Sequence, residues 1–272
     1  VSRLNYVFYV NLKKNFRNNK MLNKKQIKEY DEKGFTILDY QLSDSDLDEI
    51  KSMHDNILKK HPEFRDYCPT LLKYDRNFLK YAQDPEILNC VKQVIGPNLA
   101  VWNQSFFAKP GINGKETPWH QDGAYWPIRP LATCTVWLAV DDSNIENGCL
   151  KYMPGSHKRQ DLKKHKTDNS ENYTLNQEID PSEYSEDKAF QLQLKAGQMA
   201  LHDVFIVHGS GVNTSPYSRR GMTIRYMPTT SVFDRKLAAD QEKKFNLDHA
   251  HRTLYLMSGI DESGKNDFIV RN

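Results

Sequence analysis

The spacing of apolar and polar positions divides the chain into a helical front and a strand-rich back. Asn23 and Gln26 stand at capping-box spacing and open a predicted helix that ends at Gly34. Phe35–Asp39 follows as a strand. Ser43 starts a second helix, with Leu47, Ile50, Met53 or His54, and Ile57 along one face and Pro62 just past its end. Residues 63–82 carry no clear period. Asp84 and Pro85 supply the cap and first turn of a third helix, striped by Ile87, Leu88, Val91, Val94 and Ile95 and stopped by Gly96-Pro97.

From Leu99 the period falls to two. Leu99–Lys109 reads as a strand with Asn103, Ser105, Phe107 and Lys109 on one face. Gly111–Glu116 is a turn-rich loop, Thr133–Val140 a β-branched strand, Asn147-Gly148 a turn and Cys149–Met153 a further strand. Pro154–His157 is a loop, and Lys158–Asp187 is polar and irregular, an insertion or lid. Ala189–Leu194, Met199–His202, Phe205–His208 and Gly221–Met227 return to strand pattern. The tail shows a helix near Arg235–Phe245 and a turn pair at Gly259 and Gly264. Helices followed by many short strands predict a mainly β protein with flanking helices, its core a sandwich or barrel. The expected division is a flexible extension over residues 1–22 and one domain over 23–272. Within that domain lie a helical part 23–98, a β core 99–228 and a tail 229–272. No internal repeat is visible.

Charge changes the picture only at the front. Five of the 38 basic residues, and no acid, fall in residues 1–20, leaving 33 basic against 35 acidic residues in the remainder. That balance is no footprint for nucleic acid. Residues 1–20 also lack the apolar run of a signal peptide, and Met21 would serve equally well as an initiator. No stretch of about 18 apolar residues is present to span a membrane. Four cysteines (Cys68, Cys90, Cys134, Cys149) with no C-x-x-C pair read as free thiols in a reducing cytoplasm.

The chemistry concentrates in T-P-W-H-Q-D-G-A-Y-W, residues 117–126. His120 and Asp122, two positions apart, share a face if the strand continues through them. His208, followed by Gly-Ser-Gly, is the candidate third ligand. Two imidazoles and one carboxylate suit non-haem Fe(II) with positions left open for an organic acid and O2. Asn213-Thr-Ser-Pro216 predicts a turn that would set Arg219 opposite His208 on antiparallel strands. A guanidinium there suits the far carboxylate of a dicarboxylic cosubstrate, and 2-oxoglutarate has the required 2-oxo acid at its other end. His202-Asp203 reads as structural, because adjacent strand residues diverge. His157 reads as a loop-shaping residue. His54, His61 and His165 read as solvated, while His249 and His251 have no partner. Arg220 should point away from Arg219; Arg225 shares the parity of Arg219 but lies six residues further along.

Three runs taken together, W-H-Q-D-G-A-Y-W-P, D-D-S-N-I-E-N-G-C-L-K-Y-M-P-G-S-H-K and H-G-S-G-V-N…R-R, resemble the phytanoyl-CoA dioxygenase family of Fe(II)/2-oxoglutarate-dependent oxygenases. The resemblance covers about residues 23 to 228. It implies a double-stranded β-helix (jelly-roll, cupin-like) core, with His120, Asp122 and His208 as iron ligands and Arg219 on the 5-carboxylate of the cosubstrate. It further implies that Lys109, Trp137 and Ser210 contact 2-oxoglutarate, and that Asn103 and Trp126 approach the substrate. Asp122 fills the position that related iron halogenases leave small, which disfavours halogenation. The expected reaction is hydroxylation of a small-molecule substrate, with succinate and CO2 released. Tyr125, Trp126 and Asn103 would suit a small polar or cationic molecule. The alternatives are a jelly-roll that binds metal or ligand without catalysis and a cupin-type oxygenase that does not use 2-oxoglutarate. Oligomeric state is not written in the sequence.

Overall fold

The computed structural model describes residues 21–168, 170–245 and 250–271; residues 1–20 of the expected extension, and His249, lie outside them. The front of the chain runs through helix α1 (Lys24–Lys33), strand β1 (Phe35–Gln41), helix α2 (Asp44–Lys60), short strand β2 (Tyr67–Cys68), single-turn helices α3 (Leu71–Tyr74) and α4 (Leu79–Ala82), and helix α5 (Pro85–Ile95). Next come strands β3 (Leu99–Lys109), β4 (Thr117–His120), β5 (Ile128–Arg129), β6 (Cys134–Ala139) and β7 (Leu150–Tyr152). Strands β8 (His165–Thr167), β9 (Gln177–Ile179), β10 (Phe190–Leu192), β11 (Gln198–Asp203), β12 (His208–Ser210) and β13 (Arg219–Pro228) follow. The tail holds β14 (Val232–Phe233), helix α6 (Arg235–Phe245) and β15 (Tyr255–Ser258).

The helix starts follow the local signals. Asn23 and Gln26 form a full capping box, and Gly34 closes α1 at φ 86°, a left-handed backbone that glycine adopts without steric cost. Asp84 caps α5 through its carboxylate, with Pro85 in the first turn.

Two antiparallel sheets make the core. The larger has the order β1-β11-β6-β13-β3-β15, with β2 also on β3; the smaller has the order β10-β7-β12-β4. They face one another as the two halves of a double-stranded β-helix, the jelly-roll form. Strand alternation sorts the larger sheet cleanly. Val136, Leu138, Met199, Leu201, Met222 and Ile224 pack outward with Leu47, Ile50 and Ile57 of α2 and Ile87 and Val91 of α5. The intervening positions face the smaller sheet: Trp137, Ala139 and Ala200 cluster with Leu150, Tyr152 and Leu192. This inward face, apolar at one end and polar at the other, positions the site.

Several expectations are corrected. Within residues 158–187, read as irregular, the chain forms one short antiparallel pair, β8 with β9, that buries Gln177 and Ile179. Phe205–His208 is not a continuous strand. The Asp203 carboxylate accepts from Phe205 N at 2.8 Å, which turns the chain, and pairing resumes only at His208. The tail contributes an unforeseen edge strand, β15, paired to β3. His54 is buried rather than solvated, stacked on Phe106 with centroids 4.0 Å apart. His165 is half-buried, its Nε2 accepting from Gln121 N at 3.0 Å.

Candidate metal centre and its cavity

His120 ends β4, and the β12–β4 ladder sets it directly opposite His208, with ring centroids 4.2 Å apart. Asp122 is not on the strand. It opens a 3₁₀ turn, Asp122–Tyr125, so the bend of the chain brings its carboxylate beside His120, with Oδ1 3.6 Å from Nε2. One ligand atom from each of His120, Asp122 and His208 lies within 4.8 Å of the others, and all three residues are buried. The imidazoles are oriented for the task. Nδ1 of His120 lies 2.8 Å from the Pro118 carbonyl and Nδ1 of His208 lies 3.0 Å from that of Ile206. A proton held on each Nδ1 leaves each Nε2 lone pair free for a metal. Burial, followed by the neighbouring His120, holds the His208 imidazole well below its usual pKa, which favours the ligating form. For Asp122 burial alone would oppose ionisation. The adjacent His120 and His202 outweigh it and keep the carboxyl well below the ordinary range. The donor set, two neutral nitrogens and one carboxylate oxygen, therefore fits a divalent iron.

Arg219 lies on the other sheet, so His208 and Arg219 meet across the sandwich and not as neighbours on adjacent paired strands. Both line one cavity with His120, Asp122, Trp137 and Ser210. The guanidinium is 2 % exposed and donates to the Gly148 carbonyl at 2.9 Å, and among the described residues its Nε has no partner and no acid pairs with it. It rests 5.5 Å over the Trp137 ring, and burial lowers its pKa to about 10. An uncompensated buried cation of this kind fits the far carboxylate of 2-oxoglutarate. Gly221 allows the arrangement: a Cβ there would stand 2.5 Å from the Trp137 indole.

Lys109 is the cross-strand partner of Arg219, but its amine donates to the Lys115 carbonyl and does not line the cavity. Burial, then the neighbouring Arg219, depresses its pKa well below the lysine range. Asn103, Tyr125 and Trp126 also stay outside the cavity lining. The Asn103 amide donates to the Pro69 carbonyl at 3.0 Å and to Ser105 Oγ at 3.1 Å. Trp126 packs in a separate cluster, edge-on to Trp102, and its face is taken by the Arg225 guanidinium at 5.1 Å. A cationic ligand has no open face on this ring.

Two cavity residues were passed over in the sequence. His202 was set aside as structural, yet its Nε2 stands 3.7 Å from Oδ2 of Asp122 while Nδ1 meets Tyr152 Oη at 2.8 Å. Arg225 was discounted for its distance along β13, yet it lines the same cavity. Its parity with Arg219 was the available signal.

A jelly-roll whose facing sheets bring two imidazoles, one carboxylate and a buried arginine to one cavity is the frame of a non-haem iron oxygenase that takes a dicarboxylic cosubstrate. Residues 30–221 match the family model Phytanoyl-CoA dioxygenase (PhyH), and the chain belongs to that family. It is accordingly a non-haem iron dioxygenase that uses Fe(II), 2-oxoglutarate and O2. Human peroxisomal phytanoyl-CoA dioxygenase is 28% identical over 235 residues, covering 76% of this chain and 69% of the relative. A phytanoyl-CoA dioxygenase domain-containing protein 1 homolog of Dictyostelium discoideum is 37% identical over 173 residues, covering 63% of this chain and 62% of the relative. Among solved structures, a non-heme monooxygenase, ThoJ, superposes with a TM-score of 0.68 at 21% identity, covering 88% of this chain and 86% of the other. EvdO2 of Micromonospora carbonacea, solved with 2-oxoglutarate, gives 0.65 at 21%, covering 76% and 91%.

Proposed function

We propose that the protein hydroxylates a small-molecule metabolite, with succinate and CO2 as co-products. His120, Asp122 and His208 would hold the iron, and Arg219 would hold the 5-carboxylate of 2-oxoglutarate. The observation that carries this reading is the buried Arg219 guanidinium, without an acid partner among the described residues, in the same cavity as the three candidate metal-binding side chains. When bound, the iron and its 2-oxo acid supply the oxidising power that divides O2 between the cosubstrate and a substrate C–H bond.

The chain's own residues bind, orient and exclude water. The backbone carbonyls of Pro118 and Ile206 fix the imidazole tautomers. Trp137 supports the Arg219 guanidinium from below and, with Leu150, gives the cosubstrate stem an apolar wall. Ser210 offers a hydroxyl to the cosubstrate. Lys109, directly opposite Arg219 on the ladder, would stand by the cosubstrate end of the cavity, where a bound carboxylate would favour its charged form. No side chain has to act as a proton-transfer catalyst. We further propose a reducing, cytoplasmic setting on the strength of four free buried cysteines, although the human relative is named as peroxisomal. No helix among the described residues is long and apolar enough to cross a membrane.

Without oxygen, Fe(II) and 2-oxoglutarate added to the protein should produce a visible metal-to-ligand absorption band. Arg219→Ala should weaken 2-oxoglutarate by about a hundredfold or more in that titration, the scale expected when one partner of a buried charged pair is removed. An absent band, or a band unaltered by the substitution, would sink the assignment.

A further inference from the structure

The cavity contains a second arginine that the cosubstrate does not require. Arg225 is 5 % exposed, and its Nη1 donates to Ser105 Oγ. Its Nε has no partner, and among the described residues no carboxylate pairs with it. The guanidinium lies 5.1 Å from the centre of the Trp126 ring and 6.0 Å from that of Phe107, contacts that restrain it. Arg225 lies opposite Asn103 on β3 and opposite Thr135 on β6, and Thr135 lies opposite His202 on β11. The hydroxyl of Thr135 is likewise buried without a partner. The row His202, Thr135, Arg225 thus runs from the metal-ligand side along the cavity wall, and two of its buried atoms, Arg225 Nε and Thr135 Oγ1, have no hydrogen-bond partner among the described residues.

A buried guanidinium nitrogen and a buried hydroxyl without hydrogen-bond partners cost free energy, and a ligand that bonds to them recovers it. 2-Oxoglutarate does not reach both arginines through one carboxylate. Arg219 and Arg225 are six residues apart on one strand, on the order of 20 Å between their backbones. Charge gives the same answer. The two charges of a divalent iron cancel those of the cosubstrate dianion, which leaves two guanidiniums against the single Asp122 carboxylate in the cavity lining. One positive charge stays uncompensated in a site screened from water.

Building on the oxygenase reading above, we infer that Arg225, assisted by Thr135, binds a carboxylate of the primary substrate, so that the enzyme oxidises organic acids and not amines or neutral analogues. The guanidinium takes the acid by its free edge while the ring faces of Trp126 and Phe107 keep it from turning. The small polar or cationic molecule that Tyr125, Trp126 and Asn103 suggest in the sequence gives way to an anionic one, because Arg225 already lies against the Trp126 ring.

The test is calorimetric titration, without oxygen, of the full chain supplied with Fe(II) and 2-oxoglutarate. The probes are a panel of aliphatic and aromatic monocarboxylic acids, each matched with its primary amide. At least one acid should bind about tenfold or more tightly than its amide, the scale of a charge-assisted pair. Arg225→Gln should abolish that preference, and Arg225→Lys should retain part of it. The visible 2-oxoglutarate band should titrate within about threefold of the wild type in both variants. The proposal is overturned if no acid in the panel outbinds its amide, a result that needs no variant to fold. It is also overturned if Arg225→Gln weakens 2-oxoglutarate tenfold, which would make Arg225 a cosubstrate residue. A missing band in the wild type would count against the oxygenase reading alone, because the acid–amide comparison is read by heat.

Discussion

His202 shows how a side chain outside the metal-binding set can govern it. Its ring is held by Tyr152 Oη at 2.8 Å on one side and faces the free oxygen of Asp122 at 3.7 Å on the other. A group in that position restrains the carboxylate without touching the ion, and such outer partners typically govern metal affinity by 10- to 100-fold. His202→Phe should therefore weaken iron by about that factor, measured by competition with a coloured chelator, while the far-ultraviolet circular dichroism stays unchanged. His202→Gln, which keeps a donor, should recover part of the loss; a variant series with unaltered iron affinity would leave His202 as mere packing. The sequence marked this residue as a histidine in a strand but not its neighbour. Adjacency to Asp203 pointed to divergence, and the contact with Asp122 depends on a 3₁₀ turn in another sheet. His120, Asp122, His208 and Arg219 were legible because their spacing and flanking glycines repeat a pattern, whereas His202 and Arg225 repeat none.

At the scale of elements, the hairpin of β8 and β9 is tied to the metal motif by the one residue between His120 and Asp122. Gln121 Nε2 donates to the carbonyls of Asp161 at 3.0 Å and Phe205 at 2.7 Å, and its Oε1 accepts from Lys163 N at 2.7 Å. Gln121 is fully buried, and its bond to the Phe205 carbonyl is shielded from water, whereas those to Asp161 and Lys163 are partly buried. Gln121→Ala should leave the buried Phe205 carbonyl without this partner, at roughly 1–3 kcal/mol, and free the half-buried Asp161 carbonyl and Lys163 amide to water at a smaller cost. We expect faster amide exchange and earlier protease cleavage within residues 158–187, with exchange in β6 and β13 unaltered. Uniform protection across the hairpin in the variant would show that β9 holds the segment without Gln121. The hairpin escaped the sequence reading because its strands, His-Lys-Thr and Gln-Glu-Ile, present a single apolar side chain to count. Strands of the larger sheet were readable for the opposite reason, since Val136 and Leu138 alternate with Thr135, Trp137 and Ala139 and each set has its own face to fill.

Across the whole molecule, the helical layer is coupled to the larger sheet through a group whose protonation the fold resists. His54 of α2 stacks on Phe106 of β3 at 4.0 Å and 8°, and neither ring nitrogen has a partner. Burial, reinforced by the positive Arg220 and opposed by Asp55 and Asp141, lowers its pKa to about 4. An unfolded histidine titrates near 6.5. Above that pH both states are neutral and His54 adds no pH dependence. Below it the unfolded chain takes up a proton that the folded chain refuses, so stability falls as pH drops from about 6.5 towards 4. Between pH 7.5 and 5.0 the loss attributable to this one residue is about 2 kcal/mol. His54→Phe retains the stack on Phe106 and removes the titration, so urea unfolding should show the variant losing about 2 kcal/mol less than the wild type over the same interval. Equal losses in the two proteins would mean that the imidazole is protonated in place, and that the helix yields locally at acid pH before the sheets do. The second outcome would separate the helical layer from the jelly-roll as a unit of stability, whereas the first ties both to one transition, because the residue that titrates belongs to α2 and the surface that excludes its proton belongs to β3.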